Sequence, residues 1–155
     1  MDNNRNERGV IFTGNEERTL DDKSRVAIPA RLRSQLEKEQ DRNEVIYVFY
    51  SIVYKRIMIY TVEGWYDYAQ PLLDEIEDPD EKMEMKDFLY DHVYEQRLDS
   101  QGRIKLESKY FDIMNISKKV KIQGSGRGIT IKAPTEEKIG DLSEKQIAFM
   151  KRINF

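Results

Sequence analysis

Aliphatic and polar positions alternate in the same way twice along this chain, 78 residues apart. The first copy is Leu20-Asp21-Asp22-Lys23-Ser24-Arg25-Val26-Ala27-Ile28 and the second is Leu98-Asp99-Ser100-Gln101-Gly102-Arg103-Ile104-Lys105-Leu106. Each reads Leu-Asp-x-x-x-Arg followed by aliphatic residues at every second position, the pattern of a tight polar turn feeding a half-buried strand. Two further aliphatic runs follow each copy: Val45-Ile46-Tyr47-Val48 and Ile57-Met58-Ile59-Tyr60 in the first half, Val120-Lys121-Ile122 and Ile129-Thr130-Ile131 in the second. The chain is an internal duplication of a small β-unit.

The remaining pattern fills in around these units. Gly9-Val10-Ile11-Phe12-Thr13-Gly14 reads as a first short strand between glycines. Pro29 suits the first turn of a helix over 30–39, where its missing N–H has no helical partner. Runs 45–50 and 57–61 form a hairpin whose connection, from Ser51 to Arg56, holds no glycine. Trp65, Tyr68, Ala69, Leu72, Leu73 and Ile76 recur at helical spacing. Asp78 then caps a second helix with Pro79 at its first position, and Met85, Phe88, Leu89 and His92 or Val93 form its apolar stripe.

In the second half, 108–114 reads as a short helix with Asn115 as a left-handed stop, and Gly124 to Gly128 as a hairpin turn. The tail starts a helix at Pro134-Thr135-Glu136-Glu137, with Ile139, Leu142, Ile147, Met150 and Ile153 available for packing. The expected organisation is a flexible start (1–8), a first unit (9–64), an acidic helical connector (65–95), a second unit (96–135) and a tail that is partly helical or disordered (136–155).

Charge changes the picture. The net charge is −3, but 65–95 holds 11 acidic residues against Lys82 and Lys86, a net of −9, so the rest carries +6. Within it, Arg18, Lys23, Arg25, Arg31 and Arg33 outnumber Asp21 and Asp22 by three over 16 residues. Such segregation is what one basic working face on an acidic protein leaves in the sequence. The plainer reading is an acidic helical surface with scattered lysines.

Composition adds bounds. At 155 residues and 39% hydrophobic content the chain can bury a core. A single unit of about 50 residues is marginal alone, so the halves are expected to fold together. The absence of cysteine excludes a disulfide framework, a thiolate metal site and a cysteine nucleophile, and fits a reducing cytosol. The longest apolar run is far short of the roughly 20 residues of a membrane helix, and the N-terminus lacks the apolar stretch of a signal peptide. The expectation is a cytoplasmic protein without a membrane partner.

Little points to an enzyme. His92 is the single histidine and lies on or beside an apolar helical stripe, where a structural role outweighs a catalytic one. Asp74, Glu75, Glu77, Asp78, Asp80 and Glu81 lack the glycine and ligand order of a calcium loop, so no metal and no cofactor is expected. Gly124-Ser125-Gly126-Arg127-Gly128 precedes a strand, not the helix that a phosphate-cradling loop opens. Tyr47, Phe49, Tyr50, Tyr54, Tyr60, Trp65, Tyr66 and Tyr68 follow strand and helix periods and read as core and subunit interface before they read as a stacking platform.

The segment from Thr19 to Arg33, with the hairpin ending at Tyr60 and Trp65, resembles the first half of the MraZ family. The segment from Leu98 to Ile104, with Val120 and Gly124 to Ile131, resembles its second half. The resemblance runs from about Gly9 to Thr135. It implies an α+β, mainly β fold in which two AbrB-like swapped-hairpin units form a small β-barrel with a helical hairpin connector. It also implies a nucleoid-associated transcriptional regulator that assembles as ring-shaped homo-oligomers and binds double-stranded DNA at direct repeats upstream of division and cell-wall genes. The family's DNA face is built around the two motifs, which maps to Arg25 and Arg103.

The chain departs from the family pattern in places. Ser24 stands where a glycine, kept as Gly102 in the second copy, is usual; Arg18 replaces a frequent histidine; Glu107 replaces a proline. The helix after the second motif lacks its arginine, and the first hairpin loop lacks its glycine.

The chemistry suits the role. An arginine on a rigid turn offers a planar fork for guanine O6 and N7 or for a phosphate. Asp21 and Asp99 are assigned to closing the turns and holding the arginines, with Gly102 as a backbone requirement. Lys23, Arg31 and Arg33 flank the first motif as phosphate contacts, which anchor without specifying. Arg18 retains a positive contact, and Gln101 at the second turn completes the set. Without the resemblance, Asp21–Arg25 and Asp99–Arg103 read as turn-stabilising ion pairs. The competing expectation is a structural or protein-interaction oligomer of the same fold that has lost DNA binding. A third is another AbrB-type regulator, such as an antitoxin, although those usually carry one unit per chain.

Overall fold

Branched aliphatic residues give four central strands an apolar face each, and these strands share one antiparallel sheet with two edge strands that are more polar. The computed structural model describes residues 11–39 and 45–154. In chain order these form β1 (Asn15–Thr19), β2 (Arg25–Ala27), α1 (Ala30–Glu39), β3 (Val45–Ser51), β4 (Arg56–Thr61), α2 (Val62–Asp74), α3 (Pro79–Asp91), β5 (Val93–Arg97), β6 (Arg103–Lys105), a 3₁₀ turn (Ser108–Tyr110), β7 (Lys119–Gly124), β8 (Ile129–Lys132) and α4 (Glu144–Arg152). The large sheet runs β1-β7-β8-β4-β3-β5, and β2 pairs with β6 in a separate two-stranded ladder. No helix among the described residues is long and apolar enough to cross a membrane.

That strand order reads the same from either end once the duplication is applied. Strands β1 and β5 begin at residues 15 and 93, the interval that separates the two motifs, as do β2 and β6 at 25 and 103. Each half contributes a hairpin, β3–β4 or β7–β8, and the hairpins meet along β4 and β8. The first strand of each half joins the hairpin of the other: β1 pairs with β7 and β5 with β3. Neither half could satisfy its backbone alone, since removing one leaves a strand edge of the other unpaired.

The sheet's two faces have different covers. Ile46, Val48, Tyr50, Ile57, Ile59, Val120, Ile122, Ile129 and Ile131 point inward to a core completed by Val26 and Ile28, Ile104 and Leu106, and Leu32 and Leu36 of α1. The motif ladder is therefore the lid of the main core. On the other face, Tyr60, Trp65 and Ala69 build a smaller cluster with Phe49, Met58, Leu89 and Val93 under α2. Thr61 starts α2 by accepting from the Gly64 N–H at 3.0 Å.

Several expectations held. Helix α1 and both hairpins formed, Asp78 caps α3 with Pro79 at its first position, and Asn115 adopts φ +58. Others need correction. The expected strand over 9–14 reduces, among described residues, to a bridge between Phe12 and Gly126; the strand is β1, whose polar residues carry no hydrophobic signal because it lies at a sheet edge. Residues 1–8, expected to be flexible, lie outside the described residues. The second connector helix stops at Asp91, and Val93 opens β5, because the β3 edge captures its backbone. Met85 and Phe88 of the expected stripe are exposed, and α3 buries no residue. The expected helix over 108–114 shrinks to the 3₁₀ turn followed by turns. The tail helix begins at Glu144, not near Pro134, since Ser143 and Gln146 form a reciprocal capping box there.

Candidate nucleic-acid interface

Both Asp-x-x-x-Arg segments fold into the same turn for the same local reason. Asp21 Oδ1 accepts from the backbone N–H of Lys23 at 2.9 Å and of Arg25 at 2.8 Å. Asp99 Oδ1 accepts from Gln101 and Arg103, each at 2.9 Å. A short carboxylate satisfying backbone donors two and four positions ahead closes the loop together with backbone bonds from Asp21 N–H to Arg25 and Ser24 N–H to Asp21, matched by Asp99–Arg103 and Gly102–Asp99. The second carboxylate oxygen then takes the arginine Nε, at 2.8 Å in both copies. Backbone donation from Arg25 to Asp21, and from Arg103 to Asp99, is the main cause that holds each carboxyl below its ordinary range.

Turn closure demands a left-handed residue just before each arginine. Ser24 adopts φ +59 and Gly102 φ +73. Glycine takes this conformation freely, whereas serine pays a steric penalty. At Gly102 there is a second demand: Arg33 from α1 lies against it so closely that an added Cβ would stand 2.7 Å from Arg33 Cδ and collide with the guanidinium.

Strands β2 and β6 carry the motifs onto a common face. Arg25 pairs with Lys105, Val26 with Ile104 and Ala27 with Arg103. Val26 and Ile104 are both 1% exposed and face the core. Alternation therefore turns Arg25, Arg103 and Lys105 together to the side away from the large sheet. The arginine side chains retain 30% and 27% exposure. Each aspartate occupies Nε and leaves the Nη groups at the surface. Arg103 Nη1 also lies 3.7 Å from Asp21 Oδ2, so the two guanidinium groups converge on one carboxylate.

The other sequence-derived site residues divide. Lys23 and Gln101 occupy equivalent, exposed places in the two turns. Arg33 joins the second turn through Gly102. Arg31 is committed elsewhere, donating to the Thr13 carbonyl at 2.5 Å and its hydroxyl at 2.8 Å. Arg18 pairs with Glu16 at 3.3 Å on β1. Lys105 was missed; its signal was available, since strand alternation two residues beyond Arg103 returns it to the same face. Gln96 fixes the backbone there, accepting from Lys105 N–H at 2.8 Å and donating to its carbonyl at 3.1 Å.

Residues 11–87 match the family model described as "MraZ protein, putative antitoxin-like". The chain is similar to proteins named "Transcriptional regulator MraZ" in three organisms. The one from Chlorobaculum tepidum is 31% identical over 132 residues, covering 79% of this chain and 84% of the relative. That from Chlorobaculum parvum is 28% identical, with 79% of each chain covered. The Shewanella oneidensis protein is 30% identical over 115 residues, 74% of each. With both motifs in matching turns and relatives of this length and identity, the chain belongs to the MraZ family.

Proposed function

We propose that this protein is a DNA-binding transcriptional regulator that uses the β2–β6 face to read direct repeats upstream of division and cell-wall genes, acting in the cytoplasm at the nucleoid as a ring-shaped homo-oligomer. The observation that carries the reading is the placement of Arg25 and Arg103 on one face, each braced by its own aspartate. A braced guanidinium has little freedom left to lose on binding, so its remaining donors suit a guanine edge or a phosphate. Lys105, Lys23, Gln101 and Arg33 supply surrounding contacts, and phosphate contacts of this kind anchor the duplex without choosing its sequence. Arg18 and Arg31 belong to a proposed outer set only. The exchange of first strands between the two halves supports reading the fold as paired AbrB-like swapped-hairpin units closed into a small barrel. The units would span 9–64 and 96–135, with the acidic connector 65–95 between them and the tail 136–155 beyond.

One protomer offers few contacts, and its overall charge is negative. Repetition around a ring would convert weak contacts into tight, repeat-spaced recognition through effective concentration. The test is a salt series of binding to the DNA upstream of this protein's own gene, alongside native mass spectrometry. Wild type should bind with steep salt dependence, and Arg25→Ala should weaken specific binding by about 10-fold or more, on the order of one lost bidentate base contact. An oligomer that gives no shift at low salt would favour the alternative, a structural or protein-interaction assembly of this fold without a DNA face.

A further inference from the structure

Three cations stand side by side on the adjacent strands β7, β8 and β4, on the face opposite the motif ladder. Lys121 of β7 pairs directly with Lys132 of β8. The register Ile57↔Ile131 places Arg56 of β4 next in the same row. Their in-line neighbours Ile57, Ile122 and Ile131 face the core, so all three basic side chains lie on the outer face, and each is half-buried. Cross-strand neighbours have Cβ atoms about 5 Å apart, and like charges at that spacing oppose sheet formation.

Among the described residues no ion pair neutralises the row. The Arg56 Nε is sealed from solvent and has no hydrogen-bond partner among the described residues. Burial, then Arg56 and Lys121, push the Lys132 amine below its ordinary range. Two carboxylates bear on the row: Glu17, opposite Lys121 on β1, and Glu137 of the tail, which acts on Lys132. Neither forms an ion pair with it among the described residues.

We propose that Arg56, Lys132 and Lys121 form a binding site for a phosphate-type oxyanion, separate from the motif face. The Arg56 guanidinium and two ammonium groups on three adjacent strands give a row of donors that a tetrahedral oxyanion can accept from. Such an anion would also offset the repulsion within the row. Because the row lies on the other side of the sheet from Arg25 and Arg103, the site stands whether or not the motif face binds DNA.

The test is thermal unfolding of the full chain in a phosphate-free buffer, with sodium chloride exchanged for inorganic phosphate at constant ionic strength. Wild type should gain about 2–4 °C in a saturable manner. Lys132→Gln should melt higher than wild type in chloride, because a like charge is gone, and should lose the phosphate response. Arg56→Gln should lose the response, and Arg25→Ala should keep it. General salting effects move all variants alike, so equal phosphate shifts in wild type and both row variants overturn the proposal, as does no shift beyond chloride. A second arm titrates a duplex of unrelated sequence. If Lys132→Gln weakens that binding several-fold, the oxyanion comes from a DNA backbone; if only the phosphate response falls, it is free phosphate.

Discussion

Asp21 and Arg103 come from different halves of the chain, yet Arg103 Nη1 lies 3.7 Å from the Asp21 Oδ2 that also accepts from Arg25 Nε at 2.8 Å. One carboxylate thus sets the relative position of two arginines 78 residues apart. The Coulomb term of such exposed contacts is small; their weight is geometric. Asp21→Ala should therefore disturb DNA binding through Arg103 as well as through Arg25. A double-mutant cycle of Asp21→Ala with Arg103→Ala, read as DNA affinity, should be clearly non-additive. Simple additivity would show that the halves act independently.

Acid should loosen both turns. Asp21 and Asp99 are held below their ordinary carboxyl value of 3.8 in the folded chain, chiefly by backbone donation from Arg25 and Arg103. A depressed folded pKa means that the stabilisation is fully present above the unfolded value and is lost as pH falls through the folded one. Urea unfolding should show falling stability from about pH 4 downward. The Asp21→Asn, Asp99→Asn double variant should flatten that dependence, and an unchanged acid limb would exclude these two groups as its source.

Ser24 and Gly102 occupy one structural position with opposite consequences. Ser24→Gly removes the left-handed penalty and should stabilise by about 0.5–1 kcal/mol. Gly102→Ala introduces that penalty and a collision with Arg33, so it should cost about 2 kcal/mol or more. Adding Arg33→Ala should recover the collision part while leaving the backbone part. Chemical denaturation of the four proteins measures both.

Tyr50 ties the core to the segment just past β6, the strand that carries the second motif. Its ring is 1% exposed, stacks on Tyr110 at 4.3 Å, and its hydroxyl accepts from the Glu107 N–H at 2.8 Å. Burial pushes this phenol well above its ordinary range, so it stays neutral at any working pH. Tyr50→Phe keeps the packing and deprives the Glu107 N–H of its acceptor, with an expected loss of about 1–2 kcal/mol in denaturant unfolding. No loss would mean that water replaces the hydroxyl.

Lys105 tests how far the basic face extends. Sitting across from Arg25, it should contact phosphate, so Lys105→Ala should weaken binding to specific and unrelated duplexes alike and lower the salt slope by about 1. A loss confined to specific sites would assign it to base recognition.

The two motif turns were legible because their chemistry is local. An aspartate that satisfies donors two and four residues on needs no partner from elsewhere, and the equivalence of Ser24 with Gly102 pointed to the left-handed residue. Helix α1, the hairpins and the Asp78 cap followed from short-range periods and end signals in the same way. The edge strands did not. Asn15–Thr19 and Val93–Arg97 hold few apolar residues, and only their 78-residue offset, shared with the motifs, marked them as related. Likewise Met85 and Phe88 kept helical spacing without a surface to bury against.

By itself, then, the sequence determined the duplicated turns, since a turn is closed by neighbours in the chain. Tertiary structure alone decided that each half completes the other's sheet, that Asp21 answers to two arginines, and that Lys121, Lys132 and Arg56 are neighbours. Those relations depend on strand register between distant segments, and register is settled by which buried faces fit together.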